Sequence, residues 1–134
     1  MNKLIIVTGG TRGIGRSIVE KFAAQGFDIA TCSRHAAALE KLKGVIEKDH
    51  PSANVFGKTA DLSDKNQVKS FCEFVRKLDR PVDVLVNNAG YFLPGEIATE
   101  PEGTLESMIS ANLYSAYYTT RGLIALMKEK KAGH

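Results

Sequence analysis

Tryptophan is absent from the 134 residues, and only two cysteines and three histidines are present. Cys32 and Cys72 are far apart and lie in no disulfide-rich context, so both are expected to be reduced, mostly buried thiols of a cytoplasmic protein. His35, His50 and His134 share no metal-ligand spacing with each other or with the cysteines, so no metal site is expected. No apolar run approaches the roughly 20 residues of a bilayer-spanning helix, and Leu4-Ile5-Ile6-Val7 gives way at once to Thr8-Gly9-Gly10. Neither a membrane segment nor a secretory signal is therefore expected. Lys and Arg exceed Asp and Glu by only three charges, 18 against 15, and they form no basic block. Nucleic acid is not an expected partner. Linkers, repeats and low-complexity stretches are also missing, which leaves one domain spanning residues 1–134.

What is present alternates between two kinds of segment. Lys3 to Thr8 is a β-branched run that reads as a buried strand. Ile14 to Gln25 carries Ile14, Ile18, Phe22 and Ala23 at helical spacing, with Gly26 as a stop. Phe27 to Cys32 reads as a strand and Ala36 to Lys48 as a helix, with Leu39, Leu42, Val45 and Ile46 on one stripe. Asn54 to Ala60 is a third strand, and Ser63 or Asp64 can cap a helix that turns Val68, Phe71, Cys72 and Val75 inward. Val82 to Val86 is a fourth strand, followed by a Gly- and Pro-rich loop from Gly90 to Gly103. The spacing then predicts one long helix from Thr104 to Lys130, with Leu105, Met108, Ile109, Asn112, Leu113, Ala116, Tyr117, Leu123, Ile124 and Met127 along its inner faces. The order βαβαβαβα predicts a Rossmann-type, doubly wound parallel sheet in a three-layer α/β/α domain. The last residues read as the approach to a fifth strand, so the chain is expected to be truncated there, with one sheet edge open.

The first strand runs into Thr8-Gly9-Gly10-Thr11-Arg12-Gly13-Ile14-Gly15 and then directly into a helix. A pyrophosphate at that helix N-terminus meets free backbone N–H groups and the positive end of the dipole. Gly9 suits a tight turn, Gly13 close approach to phosphates, and Gly15 the packing of helix on strand. No G-x-x-x-x-G-K-[ST] occurs, which excludes a nucleoside-triphosphate P-loop. The pattern T-G-x-x-x-G-I-G, with Asp61-Leu62 ending the third strand, Asn87-Asn88-Ala89-Gly90 after the fourth and Asn112 in the long helix, resembles the short-chain dehydrogenase/reductase family. The resemblance implies a nicotinamide dinucleotide held by the glycine loop (Gly9, Thr11, Arg12, Gly13, Ile14, Gly15). Asp61 and Leu62 would meet the adenine, and Asn88, Ala89 and Gly90 would wall the cleft.

Charge at the end of the second strand separates the two nicotinamide cofactors. An acid there accepts from the ribose 2′-hydroxyl of NAD and repels a 2′-phosphate; a base does the reverse. Ser33 stands where NAD-dependent members of the resembled family carry Asp, Arg34 follows it, and Arg12 lies in the glycine loop. Guanidinium grips phosphate bidentately and stays charged at any working pH. NADP(H) is the expected cofactor.

For the parent protein the resemblance implies reversible hydride transfer to a small carbonyl or alcohol substrate. Asn112 is implied as a catalytic-set residue that bends its helix around a water of the proton relay. The Tyr-x-x-x-Lys pair of the family is not found: the residues four after Tyr91, Tyr114, Tyr117 and Tyr118 are Gly95, Tyr118, Arg121 and Gly122. Tyr91 and Phe92 fit a substrate-side loop. Nothing chooses among a 3-oxoacyl thioester, a sugar, a steroid and a pterin-like ketone. A non-catalytic dinucleotide-binding module or an inactive fragment are the alternatives to an enzyme half. The long final helix resembles the one that pairs subunits in family members, so a homodimer or homotetramer is expected.

Overall fold

A computed structural model describes residues 1–134. Four parallel strands, β1 (Leu4–Thr8), β2 (Asp28–Ser33), β3 (Val55–Thr59) and β4 (Val84–Val86), lie in the spatial order β3-β2-β1-β4. They are linked by helices α1 (Gly13–Ala23), α2 (Ala36–Asp49) and α3 (Lys65–Lys77). Beyond β4 come α4 (Thr104–Ile109), a π-helical turn (Ser110–Tyr114) and α5 (Ser115–Lys130). The chain leaves β1 for β2 on one side and later places β4 on the other. The reversal opens a crevice beyond the carboxyl end of β1, where ligands bind in open parallel sheets. Register brings the strand ends level, with Thr8 beside Cys32 and Val7 beside Val86.

β1 is buried along its whole length, and its alternation builds two cores. Leu4 and Ile6 join Val68, Phe71, Val75 and Leu123 under α3 and α5. Ile5 and Val7 join Val19, Leu42 and Ile46 under α1 and α2. Each such side chain contributes roughly 1.5–3 kcal/mol by leaving water, so the sheet is fixed from both faces. The outer edge of β4 takes the backbone of His134, whose N–H donates to Asp83 O and whose carbonyl accepts from Leu85 N, both at 2.9 Å.

Carboxylates tie the opposite, amino ends of the strands. Asp28 accepts from Asn2 Nδ2 (3.0 Å), from the backbone (2.8 Å) and side chain (3.0 Å) of Asn54, and from Arg80 (2.7 Å). Burial works to raise its pKa, but these donors outweigh it and hold the carboxyl below the usual range. Asp83 accepts from Leu4 N (2.8 Å) and Lys130 Nζ (2.6 Å), and there too the donors overcome burial and lower the pKa. Of the two candidate caps for α3, the residue used is Asp64, which accepts from Asn66 N at 2.8 Å. That bond, helped by Gln67, lowers its pKa.

The last helix departs from expectation. It is not continuous, because the π turn inserts an extra residue and shifts the phase between Ile109 and Ser115. The buried stripe is therefore Ala111, Ser115, Thr119 and Leu123, while Leu105, Leu113, Tyr117 and Ile124 are exposed. Small residues win the inner face because α5 lies close against α3, where Gly122 leaves no room for a methyl beside Cys72 Sγ. Asn112, expected on an inner face, is exposed. Ile14, expected in the core stripe of α1, is 76% exposed; the buried stripe is Gly15, Val19 and Ala23.

Candidate functional site

Thr8, the last residue of β1, organises the carboxyl edge of the sheet. Its hydroxyl accepts from the backbone N–H groups of Asn88 (3.0 Å) and Ala89 (2.9 Å). The amide of Asn88 returns the contact, donating to Thr8 O (3.0 Å) and Gly9 O (3.1 Å). The loop after β4 is thus latched to the start of the glycine loop. Gly9 (φ +67°) and Gly13 (φ +58°) take left-handed conformations that only glycine adopts without strain. Gly15 has a different task from the one expected: the neighbours that exclude a side chain there are the Asn88 amide and Gly9 O, not a strand residue. The position that abuts a strand is Gly10. A Cβ there would lie 2.6 Å from Thr31 Oγ1, and its N–H donates to that same oxygen at 3.1 Å.

Helix α1 begins at Gly13 with no side-chain cap and no acid in its first turn. Its free N–H groups and positive dipole end face a cleft of about 570 Å³. Gly9, Thr11, Arg12, Gly13 and Ile14 form one wall; Ser33 and Arg34 close it at the end of β2. Asp61 and Leu62 enter from β3, and Asn88, Ala89 and Gly90 from β4. Of the residues assigned to the cofactor from sequence, only Gly15 does not line the cleft; it lies buried beneath it. Oδ1 of Asp61 accepts from the backbone (3.0 Å) and hydroxyl (2.7 Å) of Ser63, leaving Oδ2 without a protein partner. Cys32 also borders the cleft, but burial pushes its thiol up to about 11, so it is a neutral wall and not a nucleophile.

Asn112 sits in the π turn outside the cleft lining, with Nδ2 donating to Tyr91 O (2.7 Å) and Met108 O (2.9 Å). Its Oδ1 lies against Gly90, so a side chain at that glycine would collide with it. Tyr91 lines the cleft and its hydroxyl bonds Ser107 Oγ; Phe92 stands 78% exposed beside it. Asn87 Nδ2 donates to Thr120 Oγ1 (2.9 Å), which ties the same loop to α5. Sequence reasoning missed His35, Ala38, Ser63 and Ala111, all on the cleft wall. Three of them directly follow assigned segments or sit one turn into the next helix, and only the parallel register shows that they face the same space.

The sequence matches the family model of short chain dehydrogenases over residues 3–134. The chain belongs to the short-chain dehydrogenase family. It is 33% identical over 96% of its length to a chloroplastic tropinone reductase homologue of Arabidopsis thaliana, covering 39% of that protein. It is 29% identical to a 3alpha-hydroxysteroid dehydrogenase of Mediterraneibacter gnavus, covering 98% of this chain and 53% of the relative. Among solved structures, L-sorbose reductase of Gluconobacter frateurii complexed with NADPH and L-sorbose superposes with a TM-score of 0.91 at 26% identity, over 96% of this chain and 49% of that one. An alcohol dehydrogenase of Thermococcus sibiricus complexed with 5-hydroxy-NADP gives 0.92 at 27% identity, over 98% and 56%. The chain spans about half the length of the relatives it matches. As a short-chain dehydrogenase chain it carries the family's fold, with the glycine loop, the Asp61 strand end and the Asn88 latch around one crevice.

Proposed function

We propose that residues 1–134 form the NADP(H)-binding Rossmann unit of a carbonyl reductase or alcohol dehydrogenase. The observation that carries the cofactor choice is the end of β2, where Ser33 and Arg34 border the cleft together with Arg12. No acid stands there to repel a 2′-phosphate, and two guanidiniums are in place to hold it. The NADP-type ligands of the two solved relatives support the choice. The residues present fit a dinucleotide: the first turn of α1 offers uncapped N–H donors, and nothing lies within 4 Å of where a Cβ on Gly13 would be, so its backbone is open to phosphate.

In this reading the Gly13 and Ile14 N–H groups hold the pyrophosphate, with Gly15 letting α1 start beneath it, Asp61 Oδ2 accepts from the adenine amino group, and Leu62 packs on the ring. When bound, the nicotinamide supplies the site of hydride gain or loss. Exposed Ile14 and the Asn88–Ala89–Gly90 segment wall the ring's side of the cleft and exclude water. Asn112, in a π turn of the kind often found at functional sites, braces Tyr91 and the loop that would receive a small carbonyl or alcohol. A cytoplasmic setting and a homodimer or homotetramer built through the outer stripe of α4 and α5 complete the proposal.

The test is NADPH oxidation by the full-length protein with a panel of ketones, beside the Ser33→Asp/Arg34→Ala variant. Turnover with NADPH, and a variant weakened on the order of 10²-fold toward NADPH but not NADH, is expected. Dinucleotide binding with no turnover on any carbonyl would favour a non-catalytic binding module instead.

A further inference from the structure

We propose that His35 is a third contact to the cofactor's 2′-phosphate, and that its protonation grades the preference for NADP(H) over NAD(H) with pH. The inference rests on the cofactor reading above. His35 borders the same cleft as Arg12, Ser33 and Arg34. Its position is fixed: the backbone N–H donates to Ser33 Oγ (3.2 Å), and that oxygen lies 3.5 Å from the Thr11 hydroxyl across the cleft wall. Its ring is uncommitted. It makes no side-chain hydrogen bond or ion pair, and although it stands at the N-cap of α2 it does not cap the helix. Ala36, Ala37 and Ala38 follow, so no bulky or acidic side chain screens the first turn of α2 from the cleft.

The charges around the ring are few. The other charged residues that border the cleft are Arg12 from the β1–α1 loop, Arg34 from the same turn as His35, and Asp61 from the segment after β3, with one oxygen already held by Ser63. A phosphate dianion placed among Arg12, Arg34 and His35 favours the imidazolium, which donates where the neutral ring can turn a lone pair. Histidine is the side chain whose charge changes in the physiological range, whereas both arginines stay charged. The arginines therefore supply the constant part of the selectivity and His35 the part that varies. The contact exists only with the 2′-phosphate, so NAD(H) should not respond.

The test is the dissociation constant of NADP+ and of NAD+ at pH 6.0 and 8.5, for the wild-type protein, His35→Asn and His35→Arg. The second ionisation of the phosphate, near pH 6, is common to all three proteins and cancels in ratios between them. His35→Asn should weaken NADP+ binding about fivefold at pH 6.0 and less than about twofold at pH 8.5, leaving NAD+ unchanged. His35→Arg should keep NADP+ tight at both values. An equal ratio at the two pH values, or an equal loss for NAD+, would overturn the role of His35. Wild-type protein that binds NAD+ as tightly as NADP+ at both pH values would overturn the cofactor reading itself, and this inference with it.

Discussion

Replacing Gly15 by alanine tests the latch between the glycine loop and β4. In an exposed helix the change gains up to about 1 kcal/mol, since alanine is the better helix former. At Gly15 the added methyl would enter space held by the Asn88 amide and Gly9 O. The carbonyl belongs to the backbone of a tight turn and cannot move cheaply, so the amide must yield. Its two hydrogen bonds, to Thr8 O and Gly9 O, are worth about 0.5–1.5 kcal/mol each. Crowding adds about 1–3 kcal/mol. Setting these against the propensity gain leaves a net loss of about 1–5 kcal/mol. Gly44, in the middle of α2 with nothing near its would-be Cβ, is the control, and alanine there should gain about 0.5–1 kcal/mol. Urea unfolding of both variants reads the two signs, provided m is unchanged. Equal stabilisation by the two substitutions would refute the latch.

At the other end of the sheet, Asp28→Asn should cost about 3–5 kcal/mol in urea unfolding. It leaves the Arg80 guanidinium, only 10% exposed, without its counter-charge; a loss under about 1 kcal/mol would mean the pair is dispensable. Asp28 and Asp83 have pKa values lowered by folding, so the unfolded chain binds protons more readily. Their stabilisation is present above the ordinary carboxylate range, near pH 4, and is lost as pH falls through the lower folded values. Tm should therefore hold from about pH 7 to pH 5 and drop below about pH 4, and the drop should shrink in an Asp28→Asn/Asp83→Asn protein. A Tm flat down to about pH 3 would contradict the two clasps.

The sheet was legible because period and punctuation agree. Apolar and β-branched runs, two of them ended by Gly9 and Asn87, marked all four strands to within two residues, and β1 is buried on both faces as its unbroken apolar run requires. The cleft was legible because its residues cluster at strand ends. What periodicity misplaced was the last helix, where one inserted residue in the π turn rotates the outer half. Large apolar side chains such as Leu113 and Tyr117 then face out, while Ser115 and Thr119 face in. Ile14 misled for a related reason. An apolar residue at helical spacing was assigned to the core, whereas α1 turns it toward the cleft. The Thr8–Asn88 latch joins positions eighty residues apart, and only the pairing of β1 with β4 reveals it.

The most direct test of the central claim is a calorimetric titration of the protein with NADPH and, separately, with NADH. Ser33, Arg34 and Arg12 predict that NADPH binds on the order of 10²-fold more tightly, by the 2′-phosphate contacts alone. Equal affinity, or a preference for NADH, would contradict it.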